Sequence, residues 1–348
     1  MLKKGLKVIA FMLIVVLLWN HLTMKFRPDG LHPVYREPED SLDLILVGSS
    51  AWYTFWSPML AYETLGVTSF DYAQGGMPAD LIEYCIKEIC KYQNPQVVAI
   101  DARVFQYRES ATLITAEDGS VYLDDGYIRT VADTMPNGLN RFRMLYSVHS
   151  YLQDGWANYL DLLFYHDRYQ ELLAAGGSAL YAETTRDFTK GFDFHGEVTP
   201  FGIPQDFSTV YEVSPLSEGT TRVIERLCEY CEAQDFRTVF VVMPLAEMSE
   251  EEKRQYNYMQ QVISGYDGIA FLNTNDHIGE IGIDYAGDFS DGTHGNYSGA
   301  QKFTAYFSNW LSEWCGLPDR RGDPDYEFWQ EDDARWQQFL GYVLPQEN

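Results

Sequence analysis

Two short stretches of this chain hold side chains that could do chemistry together. One reads Leu44-Ile45-Leu46-Val47-Gly48-Ser49-Ser50, the other Phe289-Ser290-Asp291-Gly292-Thr293-His294-Gly295-Asn296. The first is an apolar run that delivers a serine pair to its end. The second holds a carboxylate and an imidazole three residues apart, so that one turn presents both to the same place. A serine hydroxyl is a poor nucleophile until a neighbouring base takes its proton, and the base works best when a carboxylate fixes its tautomer. These are the parts of a serine hydrolase: Ser50, or Ser49 beside it, as nucleophile, His294 as base and Asp291 as orienting acid. Asp288, three residues before Asp291, is the alternative acid. His32, His149, His166, His195 and His277 have no comparable partner in sequence, and Asp276 adjoins His277 too closely to orient its ring.

Such groups need a rigid frame, and the hydropathy pattern supplies one. Short apolar runs predict strands at 42–48, 67–73, 97–101, 237–243 and 269–273. Helical spacing predicts helices at 57–65, 78–92, 218–234, 249–263 and 297–314. Ser249 followed by Glu250, Glu251 and Glu252 is a helix start, with a capping hydroxyl and acidic first turn. Repeated strand-then-helix order reads as a parallel sheet sandwiched by helices. The alternation breaks over about 104–215, an aromatic, turn-rich insertion with helical pieces at 127–134, 139–152 and 156–173. An insertion after the third strand is expected above the C-terminal strand ends, where open α/β sheets bind ligands, as a lid or as a packing lobe. The tail at 325–342 carries Trp329, Trp336 and Phe339 at near-helical spacing, which suits packing on the surface.

Composition narrows the function classes. The chain has 348 residues, enough for a large core. Its net charge of −26, from 25 basic and 51 acidic side chains, repels phosphate backbones and argues against nucleic-acid binding. Aromatics reach 15%, which suits a carbohydrate or acyl-group cleft, although most aromatic rings simply pack cores. Lys3, Lys4 and Lys7 precede an uncharged run from Val8 to Met24, near the roughly 17–25 residues of a spanning helix. No small-x-small cleavage pattern follows it, so an uncleaved signal anchor is preferred to a signal peptide. The flanking lysines place the remainder outside the cytoplasm, with Lys25 and Arg27 on the far side weakening that orientation. The five cysteines, Cys85, Cys90, Cys228, Cys231 and Cys315, have no disulfide-scaffold spacing. Cys228-x-x-Cys231 has no second pair to complete a zinc site and reads as buried thiols on a core helix.

The motifs resemble those of the SGNH, or GDSL-type, hydrolases, particularly their membrane-anchored bacterial branch. The resemblance covers about residues 42–101 and 237–314. It implies a flavodoxin-like three-layer α/β/α sandwich with a five-stranded parallel sheet, here behind an N-terminal transmembrane helix. Gly48-Ser49-Ser50-Ala51 falls where the family has Gly-Asp-Ser-Leu, which makes Ser50 the nucleophile and its backbone N–H an oxyanion donor. Gly76, in Gln74-Gly75-Gly76-Met77, matches the second oxyanion donor. Asp291-x-x-His294, followed by Asn296-Tyr297-Ser298-Gly299-Ala300, is the strongest match. The third motif departs: the family has an Asn after the third strand, and here the chain reads Asp101-Ala102-Arg103. Arg103 or Gln74 are the substitutes in reach, and losing a donor costs about 3–4 kcal/mol of transition-state stabilisation. Anchored acyl-transfer relatives often lack that Asn too.

The expected layout is a membrane anchor at 1–25, a linker at 26–41, an SGNH-like domain at 42–316 and a tail at 317–348. The expected function is an extracytoplasmic serine esterase or acyltransferase acting on small O-acyl groups of cell-envelope or exported polysaccharide. Its partners would be an O-acylated glycan and, for acyl transfer, a membrane O-acyltransferase. The alternative is a non-catalytic SGNH-like partner of a polysaccharide-modifying membrane complex. Nothing in the sequence demands a metal or an organic cofactor.

Overall fold

The computed structural model describes residues 2–27, 30–152, 155–174 and 186–344. Residues 175–185 of the expected insertion and 345–348 of the tail lie outside the described residues. Five strands form one parallel sheet: β1 (Leu44–Gly48), β2 (Ser69–Ala73), β3 (Val97–Asp101), β4 (Arg237–Val242) and β5 (Ile269–Asn273). Their order is β2-β1-β3-β4-β5, a flavodoxin-like order whose direction reverses at β1 and β3. Gly48 pairs with Ala73 and Asp101 with Val241, so the strand tips line up along one edge. All five positions of β1, β2 and β3 are buried, as a sheet covered on both faces requires.

The predicted helices are present with small changes at their ends. Ser57 and Ser249 cap Pro58–Leu65 and Glu250–Ile263, the latter through a complete capping box with Glu252. Over 78–92, Pro78 is extended and one 3-10 turn precedes the helix Ile82–Ile89. Cys228 and Cys231 lie buried on the helix Glu218–Glu232, and all five cysteines are free thiols. The tail does more than cover the surface. Its helix Glu327–Val343 buries Trp329 and Trp336 completely and brings Asp332 to Lys190, which also pairs with Glu37 at 2.9 Å.

By contacts the chain divides into two compact units, 1–32 with 114–185, and 33–113 with 186–348. The second holds the sheet, its helices, the tail and residues 186–215 of the insertion. Residues 104–113 stay with the second, and the first joins the N-terminal helix Leu2–Phe26 to residues 114–185 of the insertion. In it, 156–173 is a set of short turns and helices rather than one helix. Asp161 there turns inward to Arg27, Arg129 and Arg141 at 2.7–2.9 Å. Burial alone would raise the Asp161 carboxyl, but the three guanidinium groups outweigh it and hold it low.

Glu63, on Pro58–Leu65, gives the second unit a pH dependence. Burial, and then the Asp333 carboxylate beside it, push its carboxyl up to about 7. A raised folded pKa stabilises the fold fully below the unfolded value of 4.5, and that contribution fades as pH rises through about 7. The Tm difference between the protein and Glu63→Gln, followed by scanning fluorimetry, is expected to stay constant in acid. It should then shift against the unsubstituted protein between about pH 4.5 and 7. A difference independent of pH would mean that the Glu63 carboxyl is not raised in the folded protein.

Candidate active site

The strand-to-helix turn after β1 positions the candidate nucleophile. Gly48 has φ +152°, and a Cβ there would stand 2.3 Å from that of Asp101, so only glycine lets the β1 and β3 tips approach. Asp101, fully buried, takes the Ser49 hydroxyl on Oδ2 and the Arg103 N–H on Oδ1 at 2.9 Å. Ser49 is thereby committed as the cap of the helix Ser50–Phe55. Ser50, at the first position of that helix, points its hydroxyl the other way, 2.6 Å from Nε2 of His294. Of the two serines, Ser50 is the one the imidazole reaches.

The Asp-x-x-His turn is a closed hairpin. Phe289 bridges Gly295, and the Ser290 N–H donates to the His294 carbonyl at 3.0 Å. Asp291 Oδ1 accepts the backbone N–H groups of Thr293 and His294 at 2.8 and 3.0 Å, and Oδ2 lies 2.7 Å from His294 Nδ1. Burial acts to raise the Asp291 carboxyl, but the bonds from His294 and Thr293 outweigh it and hold it below the usual carboxylate range. Asp288 is occupied elsewhere. It is buried, accepts Ser298 Oγ at 2.7 Å and pairs with Lys302 at 2.5 Å, fastening the loop to the helix Tyr297–Trp314. Asn296 caps that helix, and a Cβ on Gly299 would fall 2.3 Å from the Asp288 carbonyl. The residues after His294 thus seat the loop.

Gly76, with φ +65°, sits in the turn after β2 that begins where the Gln74 N–H bonds the Gly48 carbonyl at 3.0 Å. Among the described residues no hydrogen bond takes the backbone N–H of Ser50 or of Gly76. Arg103, a substitute donor expected from sequence, faces the Asp291–His294 loop instead. Its Nη1 donates to the Thr293 carbonyl at 3.0 Å and its Nη2 to the Tyr107 hydroxyl at 3.0 Å. Burial opposes the Arg103 charge, but Asp101 and the neighbouring tyrosines outweigh it, so the guanidinium stays cationic. The β3 tip therefore grips both halves of the site, Asp101 through Ser49 and Arg103 through Thr293.

Tyr53 was not singled out from sequence. It lies one helical turn after Ser50, a spacing that puts both on one face. Its hydroxyl lies beside the Ser50 side chain and 3.5 Å from where a Cβ on Gly75 would be. Burial, helped by Asp193, raises the phenol above its ordinary range against the opposing influence of the nearby Ser50 hydroxyl, so it stays protonated. Residues 193–201 run alongside the hairpin: Thr199 N–H bonds the Phe289 carbonyl at 2.9 Å and Thr199 Oγ1 the Ser290 carbonyl at 2.6 Å. His195 lies between Asp193 and Glu197 with no serine at its ring, and Asp276 pairs with Lys253. Among the described residues no group of three or more His, Cys, Asp or Glu side chains could hold a metal ion. A cavity of about 620 Å³ opens elsewhere, against Glu280, Lys302 and Trp310, and contains none of the residues around Ser50.

No protein-family model matches the chain, and no curated protein matches it in sequence.

Proposed function

We propose that the protein is an SGNH-type serine esterase or acyltransferase acting on small O-acyl groups. The observation that carries this reading is the unbroken chain Ser50 Oγ, His294 and Asp291, at 2.6 and 2.7 Å, at the tip of β1. Ser50 Oγ attacks the ester carbonyl while Nε2 of His294 takes its proton, and Asp291 holds the Nδ1–H and stabilises the imidazolium. The carbonyl oxygen becomes an oxyanion facing the N–H groups of Ser50 and Gly76. The Tyr53 hydroxyl is the third donor, in place of the Asn that β3 lacks. Collapse expels the alcohol, which leaves with the proton from His294. Water or a sugar hydroxyl then attacks the acyl-Ser50 ester, giving up its proton to His294, and regenerates the free serine.

The helix Leu2–Phe26 is long and apolar enough to cross a membrane over Lys4–Phe26. We read it as an uncleaved anchor because its last turn belongs to the first unit: Thr23 and Arg27 are buried there. With the lysines cytoplasmic, the catalytic domain faces outward, toward an O-acylated envelope or exported polysaccharide. A membrane O-acyltransferase would be the partner for transfer. One observation favours a second reading, a non-catalytic assembly partner: Arg103, beyond the β3 tip, is spent on Thr293 and offers the substrate no donor from that strand.

A membrane-impermeant fluorophosphonate applied to wall-stripped cells tests both serine and side. Labelling of intact cells that vanishes in Ser50→Ala is the expected result. Labelling only after lysis would reverse the orientation, and no labelling in either case would favour the non-catalytic partner.

A further inference from the structure

The helix Leu139–Ser147 in the first unit is built inside out. Its inward face buries Asn140, Arg141, Met144 and Leu145. Its outward face is apolar, with Leu139 63%, Phe142 48% and Tyr146 62% exposed. Positions three and four apart share one side of a helix, so these three form a continuous stripe. Phe142 and Tyr146 stack at 6.3 Å, and exposed Arg143 flanks them. In water such a stripe is unfavourable by about 25 cal/mol for each Å² of apolar surface.

What covers it follows from its neighbour. Asn137, just before this helix, donates to the Asn20 side chain of Leu2–Phe26 at 2.7 Å. Phe142 and Leu145 line a cleft of about 240 Å³ together with Val16 and Trp19. The anchor helix is uncovered along its apolar stretch, so its bare surface runs through Val16 and Trp19 directly onto the stripe. Counting about 20 residues of hydrocarbon from Lys4–Lys7 puts the outer edge of the bilayer core near residues 24–27. At 1.5 Å per residue Trp19 then lies roughly 8–12 Å inside that edge. The depth at which interfacial helices sit, about 5–10 Å, is close to this. Buried Arg27, at the bilayer edge, is held by Asp161 and the Met135 carbonyl, so no unpaired charge enters the lipid.

We propose that Leu139–Ser147 is a membrane-surface helix, with Leu139, Phe142 and Tyr146 in the headgroup and upper acyl region and Arg143 reaching lipid phosphate. Its partner is the outer leaflet that the anchor exits, so the unit rests on the bilayer along two helices. The proposal rests on reading Leu2–Phe26 as an anchor, and its test separates the two.

The full chain, reconstituted in vesicles of phosphatidylcholine and phosphatidylglycerol, is given the photo-crosslinker p-benzoylphenylalanine at one position at a time. The positions are Phe11 in the anchor, Phe142 in the stripe, and Tyr211, exposed in the second unit. Mass spectrometry after illumination is expected to find lipid adducts at 11 and 142, and at least tenfold fewer at 211. Adducts at 11 alone would overturn the surface helix and leave the anchor standing. Adducts at 142 without 11 would keep the surface helix and remove the anchor. Adducts at neither would overturn both. Crosslinks from 142 to a second copy of the chain in place of lipid would also overturn the proposal.

Discussion

Replacing His294 by alanine is expected to lower kcat on a short-acyl aryl ester by on the order of 10⁶-fold, the scale of losing the base from a serine triad. The imidazole is the group within reach of the Ser50 proton, at 2.6 Å, and without it the hydroxyl attacks as a neutral alcohol. The hairpin should survive, because it is closed by the His294 carbonyl and the Phe289–Gly295 bridge rather than by the ring. An unchanged Tm would therefore accompany the loss. Residual turnover some 10³–10⁴-fold above water is expected, since Ser50, Gly76 and Tyr53 would still polarise the carbonyl. A loss of less than tenfold in a folded variant would remove His294 from the chemistry.

Much of this frame was readable from sequence because buried parallel strands leave a plain mark. β3 and β5 fall on the residues expected, 97–101 and 269–273, since each is a short apolar run closed by polar groups. The helix over 297–314 was equally legible from its Asn cap and periodic apolar face. The helix expected over 78–92 proved shorter because Pro78 is extended and the chain leaves the helix at Cys90. Residues 156–173 misled more deeply. Their apolar spacing suits a helix, but Asn158 and Asp161 are buried, drawn in by Arg129 and Arg141, and the chain breaks around them. Periodicity registers apolar faces and is blind to a buried ion cluster.

The candidate site divides in the same way. Ser50, Asp291 and His294 are each marked by local sequence, and the structure brings all three together. The bracing roles of Asp101 and Arg103 are not, because their partners Ser49 and Thr293 lie 52 and 190 residues away. A charged pair closing a wholly buried strand was the available signal. Tyr53 had a local signal too, its place one turn from Ser50, which is weak amid 25 tyrosines.

The two aspartates of the loop should separate cleanly. Asp291→Asn is expected to cut turnover about 10⁴-fold, as the equivalent triad substitution does, with the fold intact. An amide can hold the ring through its oxygen or through its nitrogen, and the latter leaves the wrong nitrogen protonated and Nε2 unable to accept from Ser50. Asp291 is half exposed, and its role as acceptor for Thr293 and His294 N–H groups can pass to the asparagine oxygen, so Tm should move little. Asp288→Asn should do the reverse. It removes a buried charge from Lys302 and weakens the bonds from Ser298 and the Asp284 N–H, at a cost of about 1–3 kcal/mol in urea unfolding. Turnover should change by less than tenfold, because Asp288 touches the fastening of the loop and not the imidazole. If Asp288→Asn instead abolished turnover at unchanged stability, Asp288 would be the orienting acid. Small, equal effects on turnover from both would leave His294 without an acid partner and move the balance to the non-catalytic reading.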